Sequence, residues 1–351
     1  MLIRAALDRL LHAYRRTGAD PPFWDPGRAH QSGMEGYYWR IVDASAGRVV
    51  VCLCGVCRAQ SEDWAVVACA AHPGGFLRYE VVAPAVALPD AFGVRAADTL
   101  RGSIDRVALR LGDDSWVDVR IRPRAPWSRR AFGALGPAQL VPGLTQYWHP
   151  VLLAAEVEGE AALGGPRVRL DRASAYVEKN WGPGFAGRWW WGHAGAFPST
   201  DATVAFAGGD VSLLGRVVSP TALVIRLGGR LLRLGPPLAA VSVDGWHLRA
   251  RSARYSVELQ GEVGAEPHVL PVPDVGERRV DLRSEQHLAG RLHLSVRRGR
   301  RTLFDDTSPL AGLELGVPEG TSASLRAAGG DRERLRSDQA LEGPDDRPYG
   351  T

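Results

Sequence analysis

The segment His-Leu-Ala-Gly-Arg-Leu-His-Leu-Ser-Val, residues 287 to 296, alternates apolar and polar side chains with a period of two. Leu288, Leu292 and Val296 fall on one face, whereas His287 and Arg291 fall on the other. Such alternation predicts a strand with one buried face. The same pattern recurs over 106–111 and 116–122, and glycine-rich turns separate the alternating segments at hairpin spacing. We therefore predict an all-β, antiparallel fold.

The two ends of the chain differ from this β pattern. Residues 1–17 carry apolar side chains at helical spacing, interrupted by charges, which predicts a short amphipathic amino-terminal helix and no signal peptide. The helix is expected to pack on its own domain, with a peripheral membrane contact as the alternative. No apolar run reaches the roughly 20 residues that span a bilayer, so the cytoplasm is the expected compartment. Residues 318–351 are polar and glycine-rich, which predicts a disordered tail.

The middle of the chain is long enough for two domains. The protein has 351 residues and a mass of 37.9 kDa, which suits one large domain or two of ordinary size. The stretch 123–143 is rich in Pro, Gly and Arg and has no clear period. We place a boundary near residue 145, which gives one β domain over 30–145 and another over 146–317.

Charge and cysteine content exclude several functions. The formal charge is only +4, with arginines interspersed among acidic residues, so no nucleic-acid partner is expected. Cys54, Cys57, Cys69 and His72 have a spacing that superficially resembles a zinc site. The first two belong to the segment 48–57, which reads as a strand with Cys52 and Cys54 on one face and Cys57 on the other, so buried strand cysteines are the better interpretation. We predict no metal and no organic cofactor.

The only lysine and the only asparagine of the chain are adjacent, at Lys179 and Asn180. The other 42 basic residues are arginines, so this position requires something that a guanidinium does not supply. If the segment is a strand, Tyr176, Glu178 and Asn180 share one face and Lys179 points to the other. Glu178 and Lys179 then enter the same pocket only if a turn or bulge begins there.

Two segments concentrate aromatic residues. Residues 176–197 hold four of the eleven tryptophans, and 34–40 reads Met-Glu-Gly-Tyr-Tyr-Trp-Arg. On a strand, Trp189, Trp191 and His193 share one face, with Trp190 on the opposite face. An ordinary solvated surface does not need this density of indole rings.

These segments resemble the tocopherol cyclase family. Glu-Lys-Asn-Trp-Gly, from Glu178 to Gly182, resembles its most specific motif, and Glu-Gly-Tyr-Tyr-Trp, from Glu35 to Trp39, resembles its opening motif. Residues 147–150 and 307–316 extend the resemblance over about residues 30 to 317. It implies two lipocalin-like (calycin) β-barrel halves, a scaffold shared with carotenoid hydratases. Gly316-Val317-Pro318-Glu319 replaces the family's Gly-Gly-Pro-Trp ending, and Met34 and Tyr37 replace Phe and Trp, which leaves the substrate open.

The resemblance also suggests which residues carry the chemistry. Tocopherol cyclases add a phenol oxygen across an alkene, which requires an acid in an apolar, aromatic pocket where burial keeps it protonated. Glu178 is the preferred acid, with Tyr176 or Asn180 orienting it or the substrate hydroxyl. His193 and Glu35 are further acid candidates. Each of these residues also has a structural interpretation. Glu178 and Lys179 would form ion pairs. His193 would be a hydrogen-bonded residue of the barrel wall, and Glu35 would only cap the start of a strand. The expected substrate-binding residues are Tyr37, Trp39, Lys179, Trp181, Trp189 and Trp191.

The predicted function is acid-catalysed cyclisation of a prenylated hydroquinone or related isoprenoid to a chromanol-type ring, an isomerase reaction on a hydrophobic small molecule. One alternative is a non-catalytic carrier of a quinone or terpenoid. Another is an isoprenoid hydratase or pericyclic cyclase on the same scaffold. No Gly-x-Ser-x-Gly, phosphate-loop or dinucleotide motif supports a hydrolase, kinase or dehydrogenase.

Overall fold

The structure is a computed structural model that describes residues 33–317 except 89–90, 125–126, 128–132, 137, 139–143, 200, 214–215 and 265, together with residues 5, 6 and 9. Ala5, Ala6 and Arg9 are helical. The rest of the predicted helix over 1–17 and the predicted tail over 318–351 lie outside the described residues. No helix in the described part of the chain is long and apolar enough to cross a bilayer.

Twelve strands form the first sheet. They are β1 (Met34–Asp43), β2 (Arg48–Cys57), β3 (Trp64–His72), β4 (Phe76–Val82), β5 (Ala85–Ala87), β6 (Gly93–Ala96), β7 (Leu100–Ser103), β8 (Arg106–Leu111), β9 (Ser115–Pro123), β10 (Tyr147–Leu163), β11 (Val168–Arg169) and β12 (Ser174–Gly182). Their order is β4-β3-β2-β1-β12-β10-β9-β8-β7-β6-β5, with β11 paired to β10.

Ten strands form the second sheet. They are β13 (Trp189–Ala194), β14 (Ala202–Gly209), β17 (Thr221–Leu227), β18 (Arg230–Leu234), β19 (Ala239–Asp244), β20 (His247–Ser252), β21 (Ser256–Glu262), β22 (His268–Asp274), β23 (Arg279–Arg298) and β24 (Arg301–Gly316). Their order is β18-β17-β14-β13-β24-β23-β21-β20-β19, with β22 paired to β23. The short strands β15 (Val211–Leu213) and β16 (Arg216–Val218) pair with each other.

Both sheets are antiparallel and nearly closed, and each encloses its own hydrophobic core. The prediction of an all-β fold with two barrel-like halves is therefore confirmed. The alternating segments 106–111, 116–122 and 287–296 all lie within strands, at β8, β9 and β23.

The chain does not change sheets near residue 145. β1 pairs with β12 from Met34↔Gly182 to Val42↔Ser174, so β10 and β12 complete the first sheet. The chain enters the second sheet between Gly182 and Trp189. The irregular composition over 123–143 thus marks a connection within the first sheet, and the division into domains at 30–145 and 146–317 does not coincide with the change of sheet.

The faces of β1 and β12 have different neighbours. Tyr37, Trp39 and Val177 belong to the core enclosed by the first sheet. Tyr38 and Tyr176 belong instead to a cluster that includes residues of the second sheet. Three of the four cysteines also lie in the first core and the fourth in a small separate cluster, all four free and buried, in agreement with their interpretation as strand residues.

Arg40 connects the two sheets. Its side chain is fully buried, and Nη2 donates to the carbonyl oxygens of Leu288 at 2.7 Å and Leu310 at 3.0 Å. Leu288 lies on β23 two residues before Gly290, and Leu310 lies on β24 next to Ala311, the partner of Gly290, where the β23–β24 register shifts. Burial lowers the pKa of Arg40 to about 10, so the guanidinium keeps its charge at neutral pH. Arg40, a residue of the first sheet, therefore satisfies two carbonyl oxygens where the pairing of the second sheet is irregular.

The only lysine of the chain forms a buried ion pair in the first sheet. Lys179 Nζ lies 2.5 Å from Glu35 Oε2 and 3.1 Å from the Tyr37 hydroxyl, and the two charged side chains are 1% and 2% exposed. Arg58, at the surface, donates to the other oxygen of Glu35 at 2.6 Å. Burial alone would raise the pKa of Glu35, but the charges and hydrogen bonds of Lys179 and Arg58 hold it below its ordinary value. Glu35 is therefore ionised and structural in this arrangement.

Removal of the lysine charge should destabilise the protein. Lys179→Met leaves the buried Glu35 carboxylate with the partly exposed Arg58 as its one remaining charged partner among the described residues, beside the neutral Tyr37 hydroxyl. The free energy of unfolding should therefore fall by about 3 kcal/mol. The measurement is urea denaturation followed by tryptophan fluorescence. Arg106→Met is the matched control, because its ion pair with Asp118 is exposed to solvent and should contribute little to the free energy of unfolding. Equal losses in the two variants would contradict the structural role of Lys179.

Candidate active site

A cavity of about 490 Å³ is lined by residues from both sheets. Its lining is mostly apolar and aromatic, and it contains two carboxyl groups, Glu178 on β12 and Glu314 on β24. This volume and composition suit a small hydrophobic ligand with a few polar groups. The two carboxyl groups differ in how the surrounding side chains hold them.

Three donors converge on one oxygen of Glu178. The Tyr176 hydroxyl donates to Oε2 at 2.5 Å, Trp148 Nε1 at 2.6 Å and Trp191 Nε1 at 2.8 Å. Tyr176 and Trp148 belong to the first sheet and Trp191 to the second. None of the described residues forms a hydrogen bond with Oε1, and Glu178 borders the cavity.

This arrangement suits a neutral carboxylic acid. Burial raises the pKa of Glu178 to about 7, against the opposing effect of the three donors. In a protonated carboxyl group one oxygen carries the proton and the other accepts hydrogen bonds. Because Oε2 already accepts three, the proton belongs on Oε1. Glu178 can therefore present an acidic proton to a ligand in the cavity near neutral pH.

Aromatic rings surround this acid. Tyr38 packs edge-on against Trp191 with ring centroids 5.2 Å apart, and Tyr176 lies 6.1 Å from the same indole. Trp148, Trp189 and Trp191 all border the cavity. Indole faces attract cations, by roughly 0.5 to 2 kcal/mol each depending on desolvation. The site thus combines a neutral acid with surfaces that stabilise positive charge.

Glu314 lies in a second hydrogen-bonded chain. Trp189 Nε1 donates to its Oε1 at 2.7 Å, and Gln286 Nε2 donates to its Oε2 at 2.6 Å. The Tyr38 hydroxyl in turn donates to Gln286 Oε1 at 3.1 Å. Burial raises the pKa of Glu314, and the hydrogen bonds oppose that change.

The structure brings some of the predicted site residues together. Glu178 and Asn180 border the cavity, as do three of the predicted substrate-binding residues, Tyr37, Trp189 and Trp191. Tyr176 is not part of the lining but donates to Glu178. The period of two explains the shared face of Glu178 and Asn180 on β12. It does not explain the contribution of β13, because the consecutive residues Trp189, Trp190 and Trp191 all border the cavity.

The other predicted site residues lie away from the cavity. Glu35 and Lys179 form the ion pair of the first sheet. Trp39 is fully buried and donates from Nε1 to the Ser103 carbonyl, 3.0 Å away. Trp181, also fully buried, stacks on Tyr147 with ring centroids 5.4 Å apart.

His193 is buried beside the site but is not part of the cavity lining. Its ring stacks on Tyr176 with centroids 4.1 Å apart, and neither ring nitrogen has a hydrogen-bond partner among the described residues. Burial, together with the charge of Arg40, lowers the pKa of His193 well below its ordinary value. The ring is thus neutral, and this geometry gives it a packing role behind Tyr176.

Sequence reasoning missed Trp148 and Glu314 as site residues. Both lie in segments that carry the family resemblance, at 147–150 and 307–316. The register Trp148↔Asn180 places Trp148 on the face that carries Glu178, and Trp191↔Glu314 places Glu314 beside Trp191. The aromatic motif around Trp148 could have indicated the first, but the pairing of β13 with β24 was needed for the second.

Comparison with known proteins identifies related chains. Residues 91–317 match the family described as tocopherol cyclase-like. A probable chloroplastic tocopherol cyclase of Oryza sativa subsp. japonica is 26% identical over 190 residues, which cover 50% of this chain and 40% of that protein. The chloroplastic tocopherol cyclase of Zea mays is 25% identical over 197 residues, again 50% of this chain and 40% of the relative. The match to this chain therefore spans less than half the length of either plant protein.

A solved structure has a fold similar to that of this chain. The crystal structure of CghA with Sch210972 superposes with a TM-score of 0.55 at 12% identity, covering 82% of this chain and 89% of that chain. At this identity the similarity shows a common fold. The family match extends over more than half of the sequence and contains β10, β12, β13 and β24, the strands that carry both cavity carboxyl groups and their indole donors. The chain belongs to the tocopherol cyclase-like family.

Proposed function

We propose that this protein is an enzyme that closes an oxygen-containing ring in a prenylated hydroquinone or a related isoprenoid, an isomerase reaction. The observation that carries the proposal is the carboxyl group of Glu178, held through one oxygen and open to the cavity through the other. Family membership and the apolar, indole-rich lining support it.

The proposed reaction begins with proton transfer from Glu178 Oε1 to one carbon of a trisubstituted alkene. The electron pair of the double bond forms the new C–H bond, and a tertiary carbocation remains on the neighbouring carbon. An oxygen lone pair of the substrate hydroxyl then forms the C–O bond, and the hydroxyl proton leaves. Reactant and product have the same composition, so the reaction needs no oxidant or reductant.

The donors on Glu178 favour this step in a specific way. When the acid loses its proton, the negative charge of the carboxylate is held by Tyr176, Trp148 and Trp191, which already point at Oε2. Hydrogen bonds to an ionised group are about twice as strong as those between neutral groups. Because these donors are in place beforehand, they stabilise the charge that develops in the transition state.

Asn180 is suited to bind a ligand hydroxyl. It borders the cavity on the same strand face as Glu178, and its buried Oδ1 has no hydrogen-bond partner among the described residues. An unpaired buried acceptor costs about 1 to 3 kcal/mol. A hydroxyl group of the substrate would remove that cost, which supports the proposal that Asn180 orients the substrate.

A carrier of quinones or terpenoids is the second candidate function. It is favoured by the mostly apolar lining of the cavity, which would hold such a ligand without any reaction. A hydratase would use the same acid with water as the nucleophile. A cytoplasmic location and a peripheral membrane contact stay predictions from the sequence.

Turnover separates the cyclase from the carrier. The protein should convert a prenylated hydroquinone into a product of identical mass with the retention time of a chromanol, measured by liquid chromatography and mass spectrometry. Glu178→Gln should lower kcat at least about 100-fold, because general acid catalysis contributes factors of this size. Glu158→Gln, a surface control, should retain full activity. Full turnover by Glu178→Gln would exclude this acid, and saturable binding without turnover by the wild type would favour the carrier.

The pH dependence tests the protonation state of the acid. Because Glu178 must be protonated and its pKa is raised to about 7, kcat/KM should fall about tenfold per pH unit above that value. Tyr176→Phe removes a donor that lowers this pKa, so the falling limb should move to higher pH. A limb that moves to lower pH in Tyr176→Phe would contradict the assignment.

A further inference from the structure

The two carboxyl groups of the cavity have opposite hydrogen-bond patterns. Glu178 accepts three hydrogen bonds on one oxygen and none on the other from the described residues. Glu314 accepts one on each oxygen, from Trp189 and Gln286. An acid needs one oxygen for its proton, whereas a carboxylate can accept on both. The two patterns favour a protonated Glu178 and an ionised Glu314, and the hydrogen bonds to Glu314 oppose the rise of its pKa that burial causes.

The orientation of Gln286 supports an ionised Glu314. The Tyr38 hydroxyl donates to the amide oxygen of Gln286, so the amide nitrogen faces Glu314 as a donor at 2.6 Å. This short contact is typical of a hydrogen bond to a charged acceptor. Each oxygen of Glu314 keeps a second lone pair after accepting one bond, and that lone pair is available to a ligand in the cavity.

Glu314 lies beside the acid Glu178, but the two carboxyl groups accept hydrogen bonds from different side chains. Trp191, which donates to Glu178 across the two sheets, lies directly opposite Glu314 in the pairing of β13 with β24. Directly opposed residues of an antiparallel pair lie on one face, with Cβ atoms about 4.5 to 5.5 Å apart. Charge on Glu314 also opposes ionisation of Glu178, after the larger effect of burial. Two carboxyl groups with separated protonation states form an acid and base pair.

We propose that Glu314 is the carboxylate that binds the hydroxyl group of the ligand's aromatic head and, in turnover, receives its proton. This inference rests on the proposed function and adds the base and the position of the head group. As the hydroxyl oxygen forms its bond to the cationic carbon, the O–H bond breaks and the proton passes to Glu314. Glu178 ends ionised and Glu314 protonated, and exchange with solvent protons restores both, so the net reaction stays an isomerisation.

A binding experiment tests Glu314 independently of turnover. The ligands are a hydroquinone with a saturated side chain, which cannot cyclise, and the corresponding quinone, which has no hydroxyl to donate. Their dissociation constants are measured anaerobically by isothermal titration calorimetry. Glu314→Gln replaces an acceptor by an amide that can donate to a quinone carbonyl, so the preference for hydroquinone over quinone should fall at least about tenfold, the equivalent of one charge-assisted hydrogen bond. Glu178→Gln is the matched control and should change this preference by less than about threefold.

A second variant tests whether the loss of preference comes from the carboxyl group and not from misfolding. Glu314→Asp keeps the charge but withdraws the carboxyl group by one methylene, so the same preference should fall at least about threefold, less than in the glutamine variant. Circular dichroism and thermal unfolding establish that each variant is folded. An unchanged preference in these variants, or a loss in Glu178→Gln instead, would overturn the assignment.

Turnover by the same variants distinguishes the two proposals. With a cyclisable hydroquinone, Glu314→Gln should lower kcat about 100-fold or more, the size of a general base effect, with a smaller change in KM. A wild-type protein that shows no turnover, but loses its hydroquinone preference in Glu314→Gln, would refute the cyclase and support the binding role of Glu314. A cyclase whose preference and kcat are unaffected by Glu314→Gln would refute the inference alone.

Discussion

The convergence of three donors on one oxygen of Glu178 is the constraint on which the site depends. Two donors come from the first sheet, but Trp191 comes from the second, so the arrangement is complete only when the sheets are docked. Arg40 and the hydrogen bond from Tyr38 to Gln286 cross the same interface. A buried acid is costly unless its hydrogen bonds are satisfied. The polar contacts between the sheets are therefore what allows a carboxyl group to remain in an apolar cavity.

Strand β12 separates two kinds of charge on its two faces. Lys179 points into the interior of the first sheet, where its ammonium group pairs with an ionised Glu35. Glu178, the preceding residue, points to the interface, where burial dominates and raises its pKa to about 7. A lysine within contact of Glu178 would have lowered that pKa and removed the acid. The alternation of the strand thus protects the protonation state on which the proposed chemistry depends.

The sequence predicted the features that follow from strand periodicity. The all-β fold, the face shared by Tyr176, Glu178 and Asn180, and the opposite face of Lys179 all depend on neighbouring residues of one strand. The roles of Trp148 and Glu314 depend on which strands pair, and a local pattern does not contain that information. The change of sheet after Gly182 was missed for the same reason. Only the sheet order shows that β12 pairs with β1 and so belongs to the first sheet.

Glu178 should be a protonated acid in the resting protein near neutral pH. Infrared difference spectroscopy of the wild type against Glu178→Gln measures this protonation state directly, through the C=O stretch of a protonated carboxyl group. This band should be present at about pH 5. As the pH rises it should disappear with a midpoint at the raised pKa of about 7. A band that is already lost near pH 5, the behaviour of an ordinary glutamate with a pKa of about 4.3, would show that Glu178 is not the proposed acid.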